Sequence, residues 1–154
     1  MLQIERALES DIPALLSLLQ SLFAVEKDFT FDAQRQRRGL HALIRAPQDR
    51  SVLLVARFNG AVAGMVSGQL VISTAEGAPS AWIEDVVVTA DLRGKGIGRA
   101  LLAAVVAWAG AHGATRAQLL ADRDNTPALS FYARCGLQPT NLTALRIPDF
   151  DHFR

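Results

Sequence analysis

The sequence predicts an α/β (α+β) domain in which a mixed central sheet is flanked by helices, with the element order βααβββαβαβ. Three observations carry that reading. Asn59-Gly60 sits between two apolar runs, Ser51–Phe58 and Ala61–Ser73, and Asn-Gly supplies the left-handed backbone that a two-residue hairpin turn requires. A third apolar run, residues 81–88, is followed by Arg93-Gly94-Lys95-Gly96-Ile97-Gly98 and a long apolar helix. That helix leads into residues 116–121, another strand pattern, so the two strands form a parallel pair joined by one helical crossover.

The remaining elements follow in order. Residues 3–7 read as a short first strand. Ser10 or Asp11 with Pro13 marks a helix start, because a short polar side chain can accept the free N–H groups of a first turn and proline fits there. Ile12, Leu15, Leu16, Leu19, Leu22 and Phe23 recur at helical spacing up to about Ala24. A linker over 25–31 carries Glu26, Lys27, Asp28 and two phenylalanines, and a weaker helix covers about 32–45. Residues 74–80 form a loop after the hairpin. The long helix, 96–113, sets Ile97, Leu101, Val105 and Ala109 on one face; a short helix covers 126–133 and a last strand 142–147. With no repeat, low-complexity stretch or internal linker, residues 1–154 read as a single domain.

Composition narrows the function. A chain of 154 residues with 50% hydrophobic content can bury one sizeable core, and a net charge of +1 from 16 basic and 15 acidic residues makes no global field for nucleic acid or a membrane. No apolar run is long enough to span a bilayer, and Met1-Leu2-Gln3-Ile4-Glu5 lacks the basic-then-apolar order of a signal peptide, so a cytoplasmic location is expected. The single cysteine, Cys135, excludes an internal disulfide framework and reads as a small buried side chain. His41, His112 and His152 are isolated in sequence, and no metal is expected. Arg35, Arg38 and Arg45 share one face of the second helix and read as solvated.

The glycine run carries the chemistry. Glycine lets backbone approach a ligand closely, and the N–H groups of a first helical turn lie at a positive dipole end, so the turn is a seat for phosphate. Two familiar phosphate loops do not fit: Gly98 is followed by Arg99-Ala100 instead of Lys-Ser/Thr, and the glycine offsets differ from a dinucleotide fingerprint. Arg93, Lys95 and Arg99 are placed to touch phosphate, and a nucleotide-like cofactor is expected beside the C-terminal ends of the parallel strands. Asn125 stands at a helix entrance and Tyr132 two turns later, so Tyr132 can reach back to that cleft.

Two segments resemble the GNAT superfamily of acetyl-CoA-dependent N-acetyltransferases. Arg93-Gly94-Lys95-Gly96-Ile97-Gly98 matches the Arg/Gln-x-x-Gly-x-Gly/Ala loop, and Asn125 through Tyr132-Ala133-Arg134-Cys135-Gly136-Leu137 matches Asn…Tyr-x-x-x-Gly-Phe with Leu137 for Phe. The resemblance implies a GNAT-like sheet, acetyl-CoA pyrophosphate on the N–H groups of residues 94–99, pantetheine along the main chain of Val86, Val87 and Val88, and Asn125 contacting the cofactor. Ile83-Glu84-Asp85-Val86-Val87-Val88 looks like the corresponding strand of glucosamine-6-phosphate N-acetyltransferases, but it is too widespread to fix a substrate.

Acetyl transfer needs a base for the ammonium proton, a donor to the carbonyl oxygen and an acid for the leaving thiolate. Glu84 is the first candidate base. Strand alternation turns Asp85 to the other face unless a bulge intervenes. The N–H of Val86 or Val87 suits the carbonyl, and Tyr132 suits the thiolate. The leading expectation is an enzyme acting on a primary amine of a small molecule or peptide; a non-catalytic acyl-CoA-binding module and a protein- or RNA-directed acetyltransferase are the alternatives, the RNA-directed form disfavoured by the near-neutral charge. Glu26, Asp28, Asp32 and the 74–80 loop are expected around the acceptor, unless the acidic residues cap the second helix instead. The last strand, 142–147, could pair across a homodimer.

Overall fold

A computed structural model describes residues 1–154, except for the side chain of Phe153. Five strands, β1 (Leu2–Arg6), β2 (Ser51–Phe58), β3 (Ala61–Ser73), β4 (Ala78–Val88) and β5 (Arg116–Leu119), form one sheet in the order β1-β2-β3-β4-β5. The first three pairings are antiparallel and β4–β5 is parallel. Helices α1 (Ile12–Phe23) and α2 (Ala33–Arg45) cover one face, and α3 (Ile97–Ala111) and α4 (Thr126–Arg134) the other.

Burial on both faces explains the unbroken apolar run of β2. Leu53 and Val55 pack under α1 and α2 with Leu15, Leu19, Leu40 and Met65, whereas Val52 and Leu54 pack under α3 with Ile97, Leu101 and Val105. Leu15 is fully buried. Truncating such a leucine to alanine costs about 2–5 kcal/mol, because the vacated space collapses only in part. At the β2–β3 hairpin Asn59 (φ 51°) and Gly60 (φ 86°) are both left-handed, as the Asn-Gly pair predicts.

One irregularity positions the site. Between β3 and β4 the register passes from Met65↔Val87 to Ser67↔Glu84, so Asp85 and Val86 together oppose Val66. This is a β-bulge, and its extra residue, Asp85, is left-handed at φ 56°. Its effect shows in the core: Ile83 packs on the α3 face, yet Val87, four residues later, packs on the α1 face. Regular alternation would put them on one side.

The structure differs from the sequence reading at two segments. β4 begins at Ala78, so only residues 74–77 turn the hairpin, at the end of the sheet remote from residues 84–88. There Glu76 meets Arg116 and Thr115 at the start of β5; this loop therefore does not border the cleft. The strand expected over 142–147 does not form. Its large apolar residues Leu142, Leu145 and Ile147 are three and two apart, so no single strand face is apolar, and Leu145 is 92% exposed. Arg146 instead stacks over the Phe29 ring at 5.2 Å and lies 3.6 Å from Asp28. The outer edge of β5 is left without a neighbouring strand.

Candidate active site

The β4–β5 pairing stops at Ile83↔Leu119, and residues 84–88 and 120–122 have no ladder between them. The strands part there and open a small cleft of about 60 Å³. Glu84, Asp85 and Val86 line it from β4, Leu22 and Glu26 from α1 and the loop after it, and Asp122, Asn125 and Tyr132 from beyond β5.

The glycine turn leads into α3. Gly96 is the N-cap at φ 81°, no side chain caps the helix, and the first i to i−4 bond is Ala100 N–H to Gly96 C=O at 3.0 Å. The N–H groups of Ile97, Gly98 and Arg99 are therefore left over, and a Cβ placed on Gly94 or Gly96 would meet nothing within 4 Å. Such an open turn with unused donors fits a pyrophosphate. Gly98 serves packing, since a Cβ there would lie 3.0 Å from Phe131 Cζ on α4. The Ile97 side chain is in the core, so only its main chain faces the turn.

The basic side chains are held by the protein. Arg93 Nε donates to Val88 C=O at 3.2 Å, Arg99 Nη1 donates to Arg134 C=O at 3.4 Å, and the Lys95 ammonium lies 5.8 Å from the Phe58 ring centroid. Val87 packs into the α1-side core and Val88 against the α3 side, whereas Val86 reaches the cleft.

The bulge brings together two carboxylates that alternation separates, since Glu84 and Asp85 line the same cleft. Their environments differ. Glu84 is exposed and its Oε1 accepts from Trp82 Nε1 at 3.0 Å. Asp85 is largely withdrawn from water; burial, then the charges of Glu84 and Glu26, push its carboxyl up to about 7. Across the cleft, burial, then Glu26 and Cys135, push the Tyr132 phenol up to about 12.

Asn125 Oδ1 accepts from Ala128 N–H at 3.3 Å and caps α4, with proline in its first turn, which fixes the helix that carries Tyr132. Of the acidic residues expected around an acceptor, Glu26 lines the cleft, Asp28 meets Arg146, and Asp32 caps α2 by accepting from Arg35 N–H at 3.0 Å. Lys27 Nζ is 2.8 Å from Asp124 Oδ2, tying the α1–α2 loop to the loop after β5. The sequence reading passed over Asp122, whose Oδ1 accepts from Asp124 N–H at 2.8 Å. Its place just past the second parallel strand is the signal that marks it. Among the described residues, no group of three or more His, Cys, Asp or Glu is placed to hold a metal ion, and no helix is long and apolar enough to cross a membrane.

The site thus consists of parallel strands parted beside an uncapped, glycine-led helix. The profile of the acetyltransferase (GNAT) family matches residues 13–137, and the chain belongs to that family, whose acetyl donor is acetyl-CoA. Solved structures agree over nearly the whole length. A protein from Agrobacterium tumefaciens is 27% identical with a TM-score of 0.78, covering 96% of this chain and 99% of its own. Glucosamine-6-phosphate N-acetyltransferase from Arabidopsis thaliana is 22% identical with a TM-score of 0.76, covering 97% and 99%. An aminoglycoside N-acetyltransferase in complex with CoA is 16% identical with a TM-score of 0.80, covering 96% and 94%. No curated protein sequence matches the chain.

Proposed function

We propose that this acetyltransferase is an N-acetyltransferase, moving acetyl from acetyl-CoA to a primary amine of a small molecule or peptide by direct attack in a ternary complex. The observation that carries the reading is the cleft at the parted ends of β4 and β5, where Asp85 and Tyr132 line one space. The structural neighbours include a glucosamine-6-phosphate N-acetyltransferase and an aminoglycoside N-acetyltransferase, which supports a small amine acceptor.

Acetyl-CoA supplies an acyl carbon on a thioester with a thiolate as leaving group. The residues of the chain divide the rest. Main-chain N–H groups of residues 94–99 bind pyrophosphate, with Arg93, Lys95 and Arg99 around them; Val86, Val87 and Val88 offer main chain to the pantetheine arm, and Asn125 holds the far wall. Asp85 takes a proton from the acceptor ammonium, which frees the nitrogen lone pair to form the C–N bond. The Val86 N–H faces the carbonyl oxygen as negative charge builds on it. Tyr132 donates to the sulfur as the C–S bond breaks. Glu84, the first choice from sequence, is the weaker base because Trp82 already hydrogen-bonds it and water solvates it.

A library of amines incubated with acetyl-CoA, with free thiol release and the acetylated product both measured, tests the proposal. Product formation on at least one amine class is expected. Binding of acetyl-CoA with no amine acetylated would overturn it in favour of a non-catalytic acyl-CoA-binding module.

A further inference from the structure

We propose that the acceptor is a diamine or polyamine, its reacting amine at Asp85 and a second ammonium group held by Glu26 and Asp122. The inference rests on the transfer reading above and adds the class of acceptor. Four carboxylates, Glu26, Glu84, Asp85 and Asp122, enter one cleft from three separate segments of chain. Among the described residues, no lysine, arginine or histidine lines it.

Lys27, the nearest cation in sequence, hydrogen-bonds Asp124 and its charge also reaches Asp122, but it does not line the cleft, and Arg146 is engaged by Asp28. Neither the Glu26 nor the Asp85 carboxylate has a hydrogen-bonding or ion-pairing partner among the described residues. Glu26 is half-buried, and the charges that act on it, from Asp122, Glu84 and Asp28, are all negative. Like charges drawn together and partly out of water are costly unless a cation joins them. A metal ion is a poor candidate, because the four do not converge as a coordination shell. A ligand with two separated ammonium groups matches carboxylates spread along a cleft.

The same arrangement rejects acceptors that carry a carboxylate near the amine, since a further negative charge would enter a cleft already lined by four carboxyl groups. Glu26 is the specificity-determining residue of the set: it lies on the α1–α2 loop side of the cleft, takes no proton in the proposed transfer, and its removal leaves the Asp85 and Tyr132 side chains in place.

The test compares butane-1,4-diamine, butan-1-amine and 4-aminobutanoic acid as acceptors, with the three- and five-carbon homologues alongside. In the parent enzyme the diamine should exceed the monoamine about tenfold or more in kcat/KM, with the amino acid poorest. Glu26→Gln should collapse the difference between diamine and monoamine in kcat/KM and leave acetyl-CoA affinity unchanged. Calorimetric titration of the diamine into the CoA complex separates the two claims. Glu26-dependent diamine binding without turnover would uphold this inference and overturn the transfer reading. Equal kcat/KM for diamine and monoamine, or an equal loss on both in Glu26→Gln, would overturn this inference and leave transfer standing.

Discussion

Trp82 Nε1 donates to Glu84 Oε1 at 3.0 Å, and that single bond separates the roles of two adjacent carboxylates. An acceptor already engaged by a neutral donor and open to water is a weaker proton acceptor than an unpartnered carboxylate withdrawn from water. Asp85→Asn should therefore lower kcat/KM at pH 7 by about 10² to 10⁴, while Glu84→Gln costs only a few-fold. The parent kcat/KM should rise with pH through about 7, where Asp85 becomes ionised, and the limb should vanish in Asp85→Asn. A pH–rate profile unchanged by Asp85→Asn would transfer the role to water or to Glu84.

Asp85 should also act on stability, with a sign opposite to that of a salt-bridged carboxylate. Its folded value of about 7 lies above the ordinary 3.8. Between those values the folded protein holds a proton that the unfolded chain has released, so stability falls as pH rises from about 4 to 7. The loss has an upper limit on the order of 4 kcal/mol. Asp85→Asn removes the charge and retains a residue that tolerates a positive φ, so it should melt several degrees above the parent at pH 8 and alongside it at pH 4. A melting difference that does not vary with pH would show that Asp85 titrates normally in the folded state.

Two glycines of the same turn should fail for different reasons. Gly96 sits at φ 81°, where a β-branched residue is strained and the first N–H groups of α3 are misdirected. Gly98 has an ordinary backbone, but its missing Cβ admits Phe131 at 3.0 Å. Saturating acetyl-CoA, at ~100 times its dissociation constant, stabilises the parent by about 2.7 kcal/mol, and Gly96→Val should lose most of that shift. Gly98→Ala should be rescued by Phe131→Leu, which clears the contact. Rescue of Gly96→Val by the same second change would mean that packing, not main-chain donors, makes the turn necessary.

The features read correctly from sequence are those whose cause is local. Asn59-Gly60 fixes its own turn, the leucines of α1 share a face through helical periodicity alone, and the run from Arg93 to Gly98 marks its helix start by glycine spacing. Alternation alone turns Asp85 to the other face, and the bulge that reverses it is a property of two strands: only the register against Val66 shows the extra residue. The 142–147 segment is the reverse case, apolar by content without a period that gives a strand a face to bury. Likewise the 74–77 turn follows β3 closely in sequence, but β4 runs its full length before reaching the cleft.

Tyr132→Phe is the most direct test of the chemistry, because it removes one hydroxyl and keeps the ring that packs beside Phe131 at 5.3 Å. With its phenol pushed up to about 12, Tyr132 keeps its proton at every working pH. Full proton transfer to a thiolate of ordinary pKa near ~8.5 is then uphill by ~3 units, so the assistance is a hydrogen bond that strengthens as charge builds on sulfur. A cation beside Glu26 offsets one of the charges that holds the phenol up, which aligns the acid with an occupied acceptor site. The expected loss in single-turnover rate is about 10², the lower end for an acid, with acetyl-CoA affinity unchanged. Steady-state turnover should fall less if product release is slow. The loss should be smaller for acyl donors with a more acidic thiol, since a better leaving group needs less help. Full single-turnover activity in a folded Tyr132→Phe protein would make Tyr132 a packing residue and leave the thiolate to depart unaided.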